Sequence, residues 1–401
     1  MRTMRTMRTR RTTHGRGVTA AALLIAVTCV VGATAAGQQA QADPAYKKVG
    51  SWGKPGTGNG QFKANAYGLT TDRAGKVYVA DTDNHRVQVF TASGRFVRKL
   101  QFAPDSFVQD AAVAPDGTSW ATDLNAAKGQ QFSSGGGALA SIDTPKAARG
   151  IAVDVKGNVF IVTAGDNIQQ VGRYDKTATG WEPGKTWGGF KDPHDVEVSP
   201  DGSVYVSDNG NLTVKRFDPN GRLLKTIKAG ASAPVGVGVD LDCNLWVTNI
   251  AQRRVDKVSP SGRPMGSVTS GDLIAQDVAI GPKGDLYAFD SGTSSIIRFA
   301  EDRSKPGVAD VAGTVAVSKG VAKVRYTLSG VACPAQLSAT ASLTGAGISG
   351  KATVQVAAGK TTAIAIPVKA STGAASAQFK IVLKTNGRPT TQVRDVSVSV
   401  R

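Results

Sequence analysis

Three aspartates recur at one fixed offset in this chain. Asp110, Asp195 and Asp277 each stand seven residues before a turn, at Gly117, Gly202 and Gly284. The same offset before Gly75, Gly157 and Cys243 gives Gly68, Gly150 and Gly236, so aspartate and glycine alternate from copy to copy. Three carboxylates brought to one place can hold a hard cation such as calcium, or recognise a basic group. The alternative is that each carboxylate accepts backbone amides of its neighbour and holds the assembly together.

The residues beside the aspartates widen the candidate set. His194 precedes Asp195, Gln109 and Gln276 precede the other two, and Arg149 precedes Gly150. His194 with Asp195 is a candidate general base. No nucleophile, oxyanion donor, G-x-S-x-G element, P-loop or CxxC pair can be set beside it. Beyond the first 42 residues histidine is limited to His85 and His194, too few for a three-histidine zinc site. Trp181, Trp187 and Phe190 lie among glycines in the longest interval between turns, read as a loop. Tryptophans so placed stack on sugar rings or anchor a partner, or equally plug a groove between structural units. The ligand-contacting set is therefore Asp110, Arg149, His194, Asp195, Asp277, Trp181 and Trp187, with the three aspartates as the cation-binding subset. A second ring, six residues after each turn, holds Asp81, Asp123, Thr163, Asp208, Asn249 and Asp290, whose side chains suit capping of the following loop.

The turns that set these offsets follow one another at steps of 42, 40, 45, 41 and 41 residues. A period of that size, with several short strands per copy, is the signature of a propeller blade. One copy cannot bury its own faces, so six must stack around an axis. Each copy reads as four strands, a to d. Asp116-Gly117, Asp201-Gly202, Ser93-Gly94 and Asn220-Gly221 supply the turn chemistry. Strands a and b are apolar because neighbouring blades cover both faces; strand d carries more charge, as an outer edge should. Trp120 and Trp246 on strand b are expected in the core. The sixth copy lacks a strand d, and Lys47-Lys48-Val49-Gly50-Ser51-Trp52 has the composition to supply it and lock the ring.

Gly75-Lys76-Val77-Tyr78-Val79-Ala80-Asp81-Thr82-Asp83-Asn84-His85-Arg86-Val87-Gln88-Val89-Phe90 carries a family resemblance. So does the lead-in from Trp52-Gly53-Lys54-Pro55 to Gly60-Gln61-Phe62, and Asp201-Gly202-Ser203-Val204-Tyr205-Val206-Ser207-Asp208 repeats the pattern. The chain resembles the NHL-repeat family of six-bladed β-propellers, in a secreted bacterial form. The resemblance spans residues 46–303 and implies that the b–c loops and d–a connections share one face around the channel mouth, the usual ligand surface.

The flanking segments are of other kinds. Residues 1–42 read as a signal peptide: six arginines, a small-residue apolar stretch from Val18 to Ala36, and Ala40-Gln41-Ala42 before Asp43. Residues 43–303 are the propeller. Residues 304–401 show short alternating strands rich in Val, Thr and Ala, which suggest an immunoglobulin-like β-sandwich. The class is thus all-β, a six-bladed propeller closed by an N-terminal strand, plus this second domain. The chain has 48 Lys+Arg against 30 Asp+Glu. Eleven of the basic residues lie in 306–401 with only Asp310 and Asp395 opposing them, so the basicity belongs to the tail. That charge suits an anionic surface or simple solubility. Nucleic acid is disfavoured, because no basic run is interleaved with aromatics. An oxidising destination permits a disulfide between Cys243 and Cys333 without requiring one.

These readings converge on a monomeric extracellular binding or scaffolding module for a protein, peptide or cell-wall glycan. The alternative is a secreted metal-dependent propeller enzyme of lyase or lactone hydrolase type.

Overall fold

The turn glycines do what their spacing implies. Gly75, Gly117, Gly157, Gly202 and Gly284 all have φ between 77° and 87°, a region closed to most side chains. Each reverses the chain between a strand a and a strand b. Blade one shows the plan, with Leu69–Thr71, Val77–Asp81, Arg86–Phe90 and Phe96–Gln101 running antiparallel from the axis outward. Five more four-stranded sheets repeat it. Their inner strands are Val108–Val113, Ala148–Val153, Pro193–Val198, Val237–Val239 and Ala275–Ile280. This computed structural model describes residues 46–165, 167–228, 233–240 and 243–301, and the strands of the tail between 314 and 400. The segment read as a signal peptide lies outside the described residues. Among those described, no helix is long and apolar enough to cross a membrane.

Blade six is completed from the other end of the propeller sequence. Tyr46–Trp52 pairs antiparallel with Ser295–Glu301, Tyr46 opposite Glu301 and Trp52 opposite Ile296. The closing strand is the one the sequence supplies ahead of the first copy.

The core lies in the seams between blades. Trp120 of blade two packs with Ile151 and Ile161 of blade three, and Trp246 of blade five with Val278 and Ile297 of blade six. Each fully buried side chain of this size removes enough apolar surface to contribute about 1.5–3 kcal/mol. Trp181 and Trp187 belong to the same system, and the loop expectation is corrected here. They begin and end the outer strand of blade three, Trp181–Trp187. Trp181 meets Trp120 edge-on, with centroids 4.8 Å apart, and donates its indole N–H to the Gly157 carbonyl at 2.9 Å. Trp187 sits between Phe160 and Phe217.

Cys243 stands where the other five turns have glycine, at φ 59°, and is disulfide-bonded. Its partner lies outside the described residues.

The tail is also all-β. Its strands are Thr314–Ser318, Val321–Thr327, Gln336–Gly345, Ile348–Ala357, Thr361–Ala370, Gly373–Thr385 and Arg388–Val400. They pair in the order first, second, fifth, fourth, third, sixth, seventh, and the first closes on the seventh in parallel. Gln336–Gly345 pairs on both sides, which holds it extended although its Ala and Ser have little intrinsic strand preference.

Candidate functional site

The inner strands bring the residue seven before each turn to the axis. In blades two, four and six that residue is Asp110, Asp195 or Asp277, and all three line one axial cavity of about 100 Å³. Each carboxylate spans a seam. Asp110 accepts from its neighbour Ala111 N at 2.7 Å and from Ile151 N of blade three at 2.8 Å. Asp195 accepts from Val196 N at 2.7 Å and Val237 N of blade five at 2.8 Å. Asp277 accepts from Val278 N at 2.7 Å and Leu69 N of blade one at 2.6 Å. The alternating glycines make room for this. A Cβ on Gly236 would stand 2.1 Å from the Asp277 carboxylate, and one on Gly68 2.3 Å from that of Asp110. Of the two readings open in the sequence, blade-to-blade clamping is the one these bonds describe.

Hydroxyls on strand b add a second link. Ser207 Oγ accepts from Asp195 N and donates to the Val235 carbonyl of blade five at 2.7 Å. Thr122 does the same between Asp110 N and the Arg149 carbonyl of blade three.

A fourth carboxyl enters the cavity that the sequence analysis missed. Glu197 lies two residues after Asp195 and so shares its axial face. At this level the other blades carry Thr70, Ala112, Ala152, Gly238 and Ala279, whose small side chains leave it space. The signal was legible: one long acid in a ring of small residues. Enclosure raises the proton affinity of the whole group. Burial, then the nearby Asp195 charge, pushes the Glu197 carboxyl up to about 8. Burial pushes Asp195 up to about 6. Asp110 and Asp277 rise well above the ordinary aspartate value, through burial first and Asp195 second. Among the described residues no three His, Cys, Asp or Glu side chains stand close enough to ligate one metal ion.

The mouth above the cavity is lined by Tyr67, Gln109, His194 and Gln276. Asp192 holds His194 in place, with Oδ2 3.1 Å from Nε2, and its other oxygen takes Arg149 Nη1 at 2.6 Å. Burial and the Arg149 charge lower the His194 pKa, leaving the ring neutral and its Nδ1 unengaged by Asp192 at physiological pH. The partner of His194 is thus Asp192, not the Asp195 that follows it, because Asp195 turns inward to its amides. Arg149 stands behind the mouth, and Trp181 and Trp187 line neither mouth nor cavity.

The second ring caps loops as its residue types imply. Asp208 accepts from Lys191 N at 2.7 Å and Asn211 Nδ2 at 2.8 Å, and Asp290 from Ile274 N at 2.9 Å. With the bonds of Asp81 to Lys63 N and of Asp123 to Phe107 N, they stitch the b–c loops of blades one, two, four and six to the connections that enter those blades, whereas the Thr163 hydroxyl of blade three makes no such bond.

Six repeated sheets around an acid-lined axis, with loops tied into one face, define a six-bladed β-propeller of the repeat class. The NHL repeat model matches residues 66–90 and 190–217, which hold the first three strands of blades one and four. The chain carries NHL repeats. A search of curated proteins finds no match. Among solved structures, a streptogramin B lyase is 16% identical over 66% of this chain and 100% of its own, with a TM-score of 0.48. An inactive variant of virginiamycin B lyase from Staphylococcus aureus with quinupristin is 19% identical over 65% and 90%, at 0.47. A WD40 β-propeller domain is 13% identical over 60% and 80%, at 0.47.

Proposed function

We propose that this chain is a secreted binding or scaffolding module whose channel-mouth face receives a protein, peptide or glycan. The observation that carries the reading is the use made of the axis. Both oxygens of each aspartate already accept backbone amides, one from the next residue of its own strand and one across a seam. The cavity between them, about 100 Å³, is well under the ~300–1,000 Å³ of small-molecule sites and suits a few waters. What the fold offers a partner is a rigid ring of loops around a polar mouth. The arginine-rich leader with its A-x-A site supports export, and the disulfide at Cys243 accords with an oxidising destination. The strand order of the tail supports an immunoglobulin-like sandwich, and its positive charge an anionic surface as second contact.

The test is a screen of immobilised protein against cell-wall glycan fragments and peptides, repeated with His194→Ala and Gln276→Ala. Binding weakened tenfold or more by either, about 1.4 kcal/mol, with the fold intact by circular dichroism, is the expected result. Ligands that bind both variants as well as the parent would remove the mouth from the reading.

The His194–Asp192–Arg149 cluster favours a second reading, a metal-dependent propeller enzyme of lyase or lactone hydrolase type. In it Asp110, Asp195 and Asp277 hold calcium below a neutral histidine base. Calorimetric titration with calcium separates the two. A tight site lost in Asp195→Asn, with no loss of fold, would put the enzyme first.

A further inference from the structure

The Phe, Tyr and Trp rings of the six blades pack into the apolar seams, with two exceptions, Tyr67 and Phe107. Both are partly exposed, and they lie against each other, with centroids 6.0 Å apart and planes tilted by 36°. Tyr67 lines the mouth. Phe107 stands two residues before Gln109, which also lines it, and so shares its side of the extended chain. No other copy of the repeat has Phe, Tyr or Trp at either offset from its turn, so the blade plan does not call for these rings.

The chain beneath the pair is held in place. Phe107 N donates to Asp123 Oδ1 at 3.1 Å, the Phe107 carbonyl accepts from Leu124 N at 2.9 Å, and Tyr67 N donates to the Ala80 carbonyl at 3.2 Å. A platform fixed in advance loses little freedom when a ligand settles on it. The groups around it are planar, polar and open. Asn65 Oδ1 accepts from the Tyr67 hydroxyl at 3.5 Å. Among the described residues the Gln109 amide and the Asp83 and Asp105 carboxylates make no side-chain hydrogen bond. Burial, then the Asp83 charge, raises the Tyr67 pKa, so its hydroxyl keeps its proton and can donate.

We propose that Tyr67 and Phe107 form the stacking platform of a subsite for an uncharged sugar ring, which makes a neutral glycan the ligand of the mouth. The proposal rests on the reading of the mouth as a binding face and chooses among the ligands that reading allows. A pyranose presents a face of C–H groups and a rim of hydroxyls. The face suits an aromatic ring, and the rim suits the surrounding amides and carboxylates. An apolar peptide side chain would need a greasy pocket, yet besides Tyr67 the mouth has one apolar side chain, Val235. Phosphate or uronate groups would meet Asp83 and Asp105 with like charge. Trp181 and Trp187, the candidates for stacking in the sequence, are packed in seams, so the role falls to this pair.

Calorimetric titration of the full chain with oligomers of N-acetylglucosamine and of glucose tests it. The expected result is binding of at least one oligomer, weakened about tenfold or more by Phe107→Leu and by Tyr67→Ala at unchanged melting temperature. Phe107→Tyr, which restores a ring, should keep the parent's affinity. Leucine retains an apolar side chain, so a loss there reports the ring and not the packing. A parent that binds neither sugar, Leu and Ala variants that bind as well as the parent, or a Phe107→Tyr that loses as much as Phe107→Leu would each overturn the proposal. His194→Ala and Gln276→Ala keep that failure apart from failure of the mouth itself. Sugar binding that they weaken and the aromatic variants do not leaves the mouth as the site and removes the platform; binding indifferent to all four removes both.

Discussion

Blades one and four share a plan and are fastened by different chemistry. Each is entered past a tryptophan, Trp52 or Trp187, pressed on the glycine of a c–d turn, Gly94 or Gly221. Each then sets a phenylalanine, Phe62 or Phe190, beside a ring on strand c, Phe90 or Phe217. Between tryptophan and phenylalanine blade one has nine residues and blade four has two. The longer path leaves carbonyls without strand partners, and buried Arg86 meets them. It donates to Asp81 at 2.8 Å, Gly58 O at 2.7 Å and Gln61 O at 2.9 Å. The shorter path needs only Lys215, which bonds Asp208 at 2.7 Å and the Gly189 carbonyl, over the Phe190 ring. Loop length in this repeat is limited by the buried donors available to satisfy it. At the axis the contrast is reversed: blade one offers Gly68 and Thr70 where blade four has Asp195 and Glu197.

The sharpest way to break this comparison is to remove the two cations. Arg86→Ala leaves the fully buried Asp81 carboxylate without its cation and removes a donor from the Gly58 and Gln61 carbonyls, and should cost about 3–5 kcal/mol in urea unfolding. Lys215→Ala also leaves a buried carboxylate, Asp208, but removes a cation that is 14% exposed where Arg86 is 4%, and should cost less, about 1–3 kcal/mol; equal losses would erase the distinction. Gly94→Ala and Gly221→Ala each bring a Cβ to 2.6 Å of a tryptophan carbon, at φ 88° and 83°. Each should cost about 1–3 kcal/mol, and by similar amounts, since this part of the plan is common to both blades. A wedge free to move would show as one mild variant and one severe.

The axial difference is read by pH. Glu197 titrates near 8 in the fold against an ordinary 4.5, so between those values the folded state holds a proton that the unfolded chain has lost. Stability therefore falls as pH rises across that window. Asp195, near 6, adds to the lower part of it. Glu197→Gln should raise the stability at pH 8, by on the order of a few kcal/mol at most, and change it little below pH 4.5. Thr70→Ala in blade one should leave the slope unaltered. A parent whose melting temperature is flat over the window would contradict the enclosure of Glu197.

Much of this was legible in the residues because the repeat is a ruler. Once the turns at Gly75, Gly117 and Gly202 were aligned, the offset of Asp110, Asp195 and Asp277 placed them at the axis, and the leftover Lys47–Trp52 segment had one vacancy to fill. The failures came where local sequence does not encode direction. Trp181 and Trp187 sit among glycines, which reads as a loop, yet hydrogen bonding across to strand c makes the segment a strand. His194 adjoins Asp195 in sequence, but neighbours on a strand point to opposite sides, so its partner is Asp192, two residues back. Glu197 is an exception to the repeat, standing where the other blades carry Thr70, Ala112, Ala152, Gly238 and Ala279, so the period that marks the aspartates does not mark it.

The strand that seals the ring has a kinetic consequence. Tyr46 is paired with Glu301, so the first-made piece of the wheel waits for the last while the intervening chain is synthesised. Until then blades one to five can stack in succession, but the circle stays open and the forerunner remains unspent. Completion is a late, long-range event with a large loop-closure entropy. A ribosome stalled before Ser295 would release an arc with two raw ends, marked for proteolysis or misassociation, so this topology checks the completeness of its own translation.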